Sequence, residues 1–150
     1  MTFSETGAIG FDLPLSIDTV SNINFGHVQA NTTGTYTINT SGNVTATGPG
    51  QWINGPTSAG NLLIHGSSTQ TISISAGSYV AGGVGNGVKL SNATCAYNGG
   101  AAVPCTLSTQ AAPTSAGKTL LLGVTVKVSN KKQADGTMAT PSFTITVTYS

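Results

Sequence analysis

Apolar and polar residues alternate with a period of two along most of the chain, and no stretch carries the three-to-four spacing of an amphipathic helix. Two runs are clearest. Residues 119–129 place Leu120, Leu122, Val124, Val126 and Val128 on one face, and residues 142–149 place Phe143, Ile145, Val147 and Tyr149 on one face. Threonine and lysine occupy the opposite faces, the signature of strands with one side on a core and one in water. Weaker strands are expected at 23–28, 34–39, 43–47, 61–65, 70–76 and 88–93, separated by Gly, Asn, Pro and Ser clusters. Short strands at about ten-residue spacing predict an all-β sandwich. Residues 130–137 read as a polar connection between the last two strands, and the glycine-rich 81–87 as a loop.

The segment before residue 18 has its own pattern. Ile9, Phe11, Leu13, Leu15 and Ile17 fall on one face, with Gly10, Asp12, Pro14, Ser16 and Asp18 on the other. Burying all five apolar side chains would contribute on the order of 7 to 15 kcal/mol, so something must cover them. Pro14 cannot donate to a ladder, which argues for an edge or a bulge. Either this is the first strand of its own domain, or it leaves that domain and adds a strand to a neighbour.

Composition narrows the class. The 150 residues are the size of one domain, 38% are hydrophobic, and only 6% are charged, against roughly 25% in ordinary soluble domains. The net charge is +1. Five lysines and no arginine form no stripe for a phosphate backbone, so a nucleic-acid partner is not expected. No apolar run reaches the roughly 18 to 20 residues of a membrane-spanning helix, so membrane insertion is not expected either. The first residues lack the basic and apolar regions of a secretion signal, so an exported protein would be present here in mature form.

Cys95 and Cys105 flank a turn-rich stretch and are spaced to close a short loop; as a disulfide they would add about 2 to 3 kcal/mol in an oxidising compartment, and the alternative is two free buried thiols. Asn31, Asn39, Asn43 and Asn92 begin Asn-x-Ser/Thr triplets, which chance explains in a chain this rich in those residues. Catalytic chemistry is not expected. Glu5, Asp12, Asp18 and Asp135 read as solvated carboxylates, and His27 and His65 have no ligand-spaced neighbours. No cofactor and no metal are therefore expected. The serines lack an elbow motif, and the glycines at 82–87 lack the lysine of a phosphate loop. Trp52 is compatible with a sugar platform, although a lone tryptophan is more often core.

The alternating opening segment, the Asn24-Phe25-Gly26 motif within Ser21–Val28, and a final strand with tyrosine at 149 together resemble a family of uncharacterised bacterial secreted domains that open with apolar-Asn-Phe-Gly-x-Val. They are also similar to chaperone-usher pilins and spore-coat-U-like fimbrial subunits. The resemblance implies an immunoglobulin-like sandwich lacking one strand, which a neighbour supplies. Residues 1–18 would then be a donor extension, with Ile9, Phe11, Leu13, Leu15 and Ile17 as donor side chains, and 19–150 the pilin-like domain. The acceptor groove would be walled by Ile23 and Phe25 on one side and by Phe143, Ile145, Val147 and Tyr149 on the other. The implied protein is a homopolymeric pilin of a bacterial surface filament, secreted and escorted by a periplasmic chaperone and an outer-membrane usher. Two departures from the usual pilin pattern are the late position of the cysteine pair and the short extension. If 9–17 is the domain's own first strand, only residues 1–7 remain to donate, with Phe3 the sole anchor. The competing expectation is a self-contained adhesin or carbohydrate-binding module, and the destination of residues 9–17 separates the two.

Overall fold

The computed structural model describes residues 1–81 and 87–150, and among them every regular element is a strand. In chain order these are β1 (Ser16–Ser21), β2 (His27–Val28), β3 (Gly34–Ile38), β4 (Val44–Thr47), β5 (Trp52–Asn54) and β6 (Gly60–His65), then β7 (Ile72–Val80), β8 (Val88–Tyr97), β9 (Val103–Pro104), β10 (Thr106–Gln110), β11 (Lys118–Val128) and β12 (Ser142–Tyr149). All the pairings are antiparallel.

The long strand β11 organises the larger sheet. One of its edges carries β8, from Leu120 opposite Tyr97 to Val128 opposite Val88. Its other edge is shared end to end by β6, opposite residues 118–122, and β3, opposite 124–128. Outside these lie β1 on β6, β4 on β3 and β9 on β8. The smaller sheet has the order β10-β7-β12, and β2 and β5 form a separate pair. Both larger sheets contribute to one core: Tyr36, Ile38, Ile64, Leu120, Leu122 and Val124 come from one, and Ile72 and Ile74 from the other. The architecture is all-β and consistent with a sandwich.

Cys95 and Cys105 form a disulfide within this core. It sits where the chain changes sheets, because the Cys105 amide donates to Ala93 O of β8 at 3.2 Å while its carbonyl accepts from the Ala76 amide of β7 at 3.1 Å.

The strongest sequence alternations became strands, with β11 and β12 within a residue of expectation. Three differences have physical causes. Residues 23–28 make only an isolated bridge, Asn24 with Ser58, and the two-residue β2, because turn geometry around Gly26 interrupts the ladder. Residues 9–15 are not in a strand, since no strand among the described residues pairs with them, and regular pairing starts only after Pro14. Strands β5, β9 and β10 were not anticipated, being too short or too polar to show a period. Of the expected glycine-rich loop, residues 82–86 lie outside the described residues.

Candidate functional site

Strand β12 is hydrogen-bonded to β7 along one edge, from Ser142 opposite Val80 to Tyr149 opposite Ile72, and among the described residues has no strand on the other. Its inner side chains Phe143, Ile145, Val147 and Tyr149 touch the core yet remain half-exposed, whereas Ile72 and Ile74 of β7 are sealed at 0% and 1% exposure. The difference is one of neighbours: β7 has a strand on both sides. An unpaired, half-covered apolar strand is a ready template for another chain.

The residues before β1 run off this same end of the fold. Phe3, Ile9 and Phe11 are 84%, 81% and 88% exposed, and a side chain at Gly7 or Gly10 would meet nothing within 4 Å. Attachment begins abruptly at Asp12. Its carboxylate accepts from Ser67 Oγ at 2.7 Å, Thr69 Oγ1 at 2.9 Å and Gln70 Nε2 at 3.1 Å, all in the turn between β6 and β7. These hydrogen bonds, from Ser67 foremost and then Thr69, hold its carboxyl below the usual carboxylate range. The next residue is held from β12: the Tyr149 hydroxyl donates to Leu13 O and accepts from the Ser67 amide at 2.8 Å. Leu15 then packs on the core edge. Gly66 makes this junction feasible, for a Cβ there would lie 2.8 Å from the Tyr149 hydroxyl, 2.9 Å from Leu15 Cδ2 and 2.9 Å from Pro113 Cγ.

The segment anticipated as one donor run therefore divides. Ile9 and Phe11 are free, Leu13 is 52% exposed beside the clasp, Leu15 is at the core edge, and Ile17 lies in β1, paired with Ile64 of β6. Residues 16–18, placed with the extension in the sequence reading, pair with the domain itself. Sequence reasoning took Asp12 for a solvated carboxylate. The signal for its role was the run of hydroxyl and amide groups at 67–70.

Ile23 and Phe25 pack against the core edge. Their motif is a built turn. The Gly26 amide donates to Asn24 Oδ1 at 2.9 Å, and Trp52 Nε1 donates to Phe25 O at 2.7 Å. Gly26 has φ 75°, and a Cβ there would lie 2.9 Å from Asn54 O and 3.0 Å from Trp52 Nε1, so only glycine fits. Beyond Phe25, a cavity of about 410 Å³ opens between Gly26–Ala30, Val126 and Val128, and the connection into β12 at Ala134–Ala139.

A family model described as a domain of unknown function, DUF4402, matches residues 15–149. The chain belongs to the DUF4402 family. The match opens at Leu15, where the chain passes from its free segment into the packed body. No curated protein and no solved structure matches this DUF4402 chain.

Elsewhere in the DUF4402 domain, His65 is engaged by a residue 47 positions away. Its Nε2 lies 2.9 Å from Asp18 Oδ2 and its Nδ1 2.9 Å from Ser115 O. Sequence spacing had not connected these residues. No group of three or more His, Cys, Asp or Glu that could hold a metal occurs among the described residues. The disulfide, with no helix long and apolar enough to cross a membrane among those residues, is compatible with a secreted or extracellular protein.

Proposed function

We propose that this DUF4402 chain is a structural subunit of a bacterial surface filament, an incomplete immunoglobulin-like sandwich whose open β12 edge takes the amino-terminal segment of the next copy. One observation carries the reading: among the described residues the same molecule presents an apolar strand edge with no partner and an apolar segment with no cover. Their dimensions agree. Residues 1–11 extended span about 36 Å, and the eight residues of β12 about 26 Å, so the segment can run the whole strand. Ile9 and Phe11 alternate with the same period as Phe143, Ile145, Val147 and Tyr149, and each would contribute about 1.5 to 3 kcal/mol on burial. In this reading Ile9, Phe11 and Leu13 are the donor side chains, and Leu15 and Ile17 form the root from which they leave.

A contact of this kind is head to tail and does not close, so it builds a fibre of any length. An open edge also needs an escort before the donor arrives, which calls for a periplasmic chaperone and an outer-membrane usher as partners.

The test is a denaturing gel of native surface-sheared material with and without boiling. Wild type should give a ladder of multimers that collapses only on boiling, and Phe11→Asp should give none while leaving the subunit's circular dichroism unchanged. A plain unboiled monomer from wild type would overturn the reading in favour of a self-contained adhesin or carbohydrate-binding module.

A further inference from the structure

The few charges of this chain are sorted to opposite ends of the sandwich. Strand β11 fixes the two ends. Its first residue, Lys118, pairs with Ile64 beside the β6–β7 turn that holds Asp12, and its Lys127 pairs with Lys89 of β8 at the far end. Eleven residues of strand separate the ends by roughly 33 Å. At the first end are Asp12 and Asp18, with His65 and Lys118, and Glu5 belongs to the free segment that leaves there. At the other are Lys89, Lys127, Lys131 and Lys132, with Asp135 the one carboxylate. Lys89, Lys127 and Lys131 line a single cleft with Tyr79 and Val80. Among the described residues none of these lysines is in an ion pair, and Lys89 stands directly opposite Lys127, where like charges repel. Such an arrangement is unfavourable within one subunit and becomes favourable when an anionic surface approaches.

The two ends are also the two ends of β12. Val80 pairs with Ser142 and Tyr79 stacks on Phe143 with ring centroids 5.7 Å apart, so the lysine cleft adjoins the start of the open strand. The Tyr149 hydroxyl, at its close, touches the root of the free segment.

Building on the filament reading, we infer that the lysine end of one copy receives the aspartate end of the next. The partner is a second copy of this chain, selected by charge complementarity between Lys89, Lys127 and Lys131 on one side and Asp12 and Asp18 on the other. With the neighbour's root seated at the lysines, its residues 11 to 1 run along β12 from Phe143 toward Tyr149. The added strand is then antiparallel to β12, like every other pairing in the fold. Electrostatics brings the ends together and sets the direction, and apolar burial along β12 holds them.

Assembly of the purified full chain, followed by light scattering, tests this. Rates should fall steeply as salt is raised from about 0.02 M to about 0.5 M, because screening shortens the reach of these charges to a few ångströms. Lys89→Glu with Lys127→Glu should slow assembly by roughly tenfold or more at low salt, the lower end of what steering gives to association. Adding Asp18→Lys to that chain should recover much of the rate, and Asp18→Lys alone should slow it. The three substituted positions, Lys89, Lys127 and Asp18, are on the exposed surface, so an unchanged melting temperature will separate an effect on docking from one on folding. If a variant melts lower, the rescue by Asp18→Lys decides, since a folding defect would not be repaired by a second charge reversal. Salt-independent rates together with normal assembly of the lysine variant would overturn the inference and leave strand donation standing. Assembly that survives Phe11→Asp would instead sink strand donation, and the salt and rescue data would then judge the charge pairing on its own.

Discussion

Strands β11 and β12 carry the same kind of inner face and are covered very differently. In β11, Leu120 and Val124 are 0% and 1% exposed; in β12, Phe143, Ile145, Val147 and Tyr149 all retain partial exposure. Side-chain chemistry does not distinguish them. What differs is that β11 has β8 on one edge and β6 and β3 on the other, while among the described residues β12 has only β7. A strand's inner face is sealed by the strands beside it as much as by the sheet opposite, so a missing neighbour shows as half-burial along its whole length.

Breaking the comparison at its strongest point should give the largest effect. Leu120→Ala should cost about 2 to 5 kcal/mol in chemical denaturation, because the leucine is wholly enclosed. Cys95→Ser should cost about 2 to 3 kcal/mol by opening a loop of separation 10, and would be measured the same way under non-reducing conditions. The sharpest contrast is a matched pair: Val124→Ala should cost about 2 kcal/mol in the isolated subunit, and Val147→Ala less than half of that. In assembled material Val147→Ala should become the costlier relative to its monomer value, and equal costs in both states would mean that nothing covers β12. The smallest effect concerns the clasp. The Asp12 carboxyl is depressed, so its hydrogen bonds contribute above the ordinary carboxylate range and are lost as pH falls through the lowered value. The amide resonances of Ser67 and Thr69 should report that titration by nuclear magnetic resonance, and Asp12→Asn should abolish it.

The sequence was most readable where a strand is long and its faces differ in polarity. The inner residues of β11 and β12 were assigned from alternation alone, because a period of two needs only a few residues to declare itself. Val103–Pro104 of β9 and Trp52–Asn54 of β5 are too short for a period, and in Thr106–Gln110 of β10 the single large apolar residue is Leu107. The candidate site was readable by the same logic and to the same limit. Alternation named Phe143, Ile145, Val147 and Tyr149, but the presence or absence of a neighbouring strand is a property of topology and leaves no mark on a strand's own residues. It also could not show where the opening segment attaches, since Ile9 and Ile17 share one uninterrupted pattern while the bonds of Asp12 and Leu13 come from residues 67–70 and 149. Long-range partners of that kind, like Asp18 and His65, are invisible to spacing.

The clasp has a mechanical consequence. A pull on residues 1–11 does not reach the first pair of β1 and β6 directly, where it would peel Ser16 from His65 and then each following pair in turn. It arrives first at Asp12 and Leu13. From there tension divides between the turn joining β6 to β7, which belongs to both sheets, and Tyr149, which belongs to β12. A strand lying against β12 would hand part of its load to Leu13 through the Tyr149 hydroxyl.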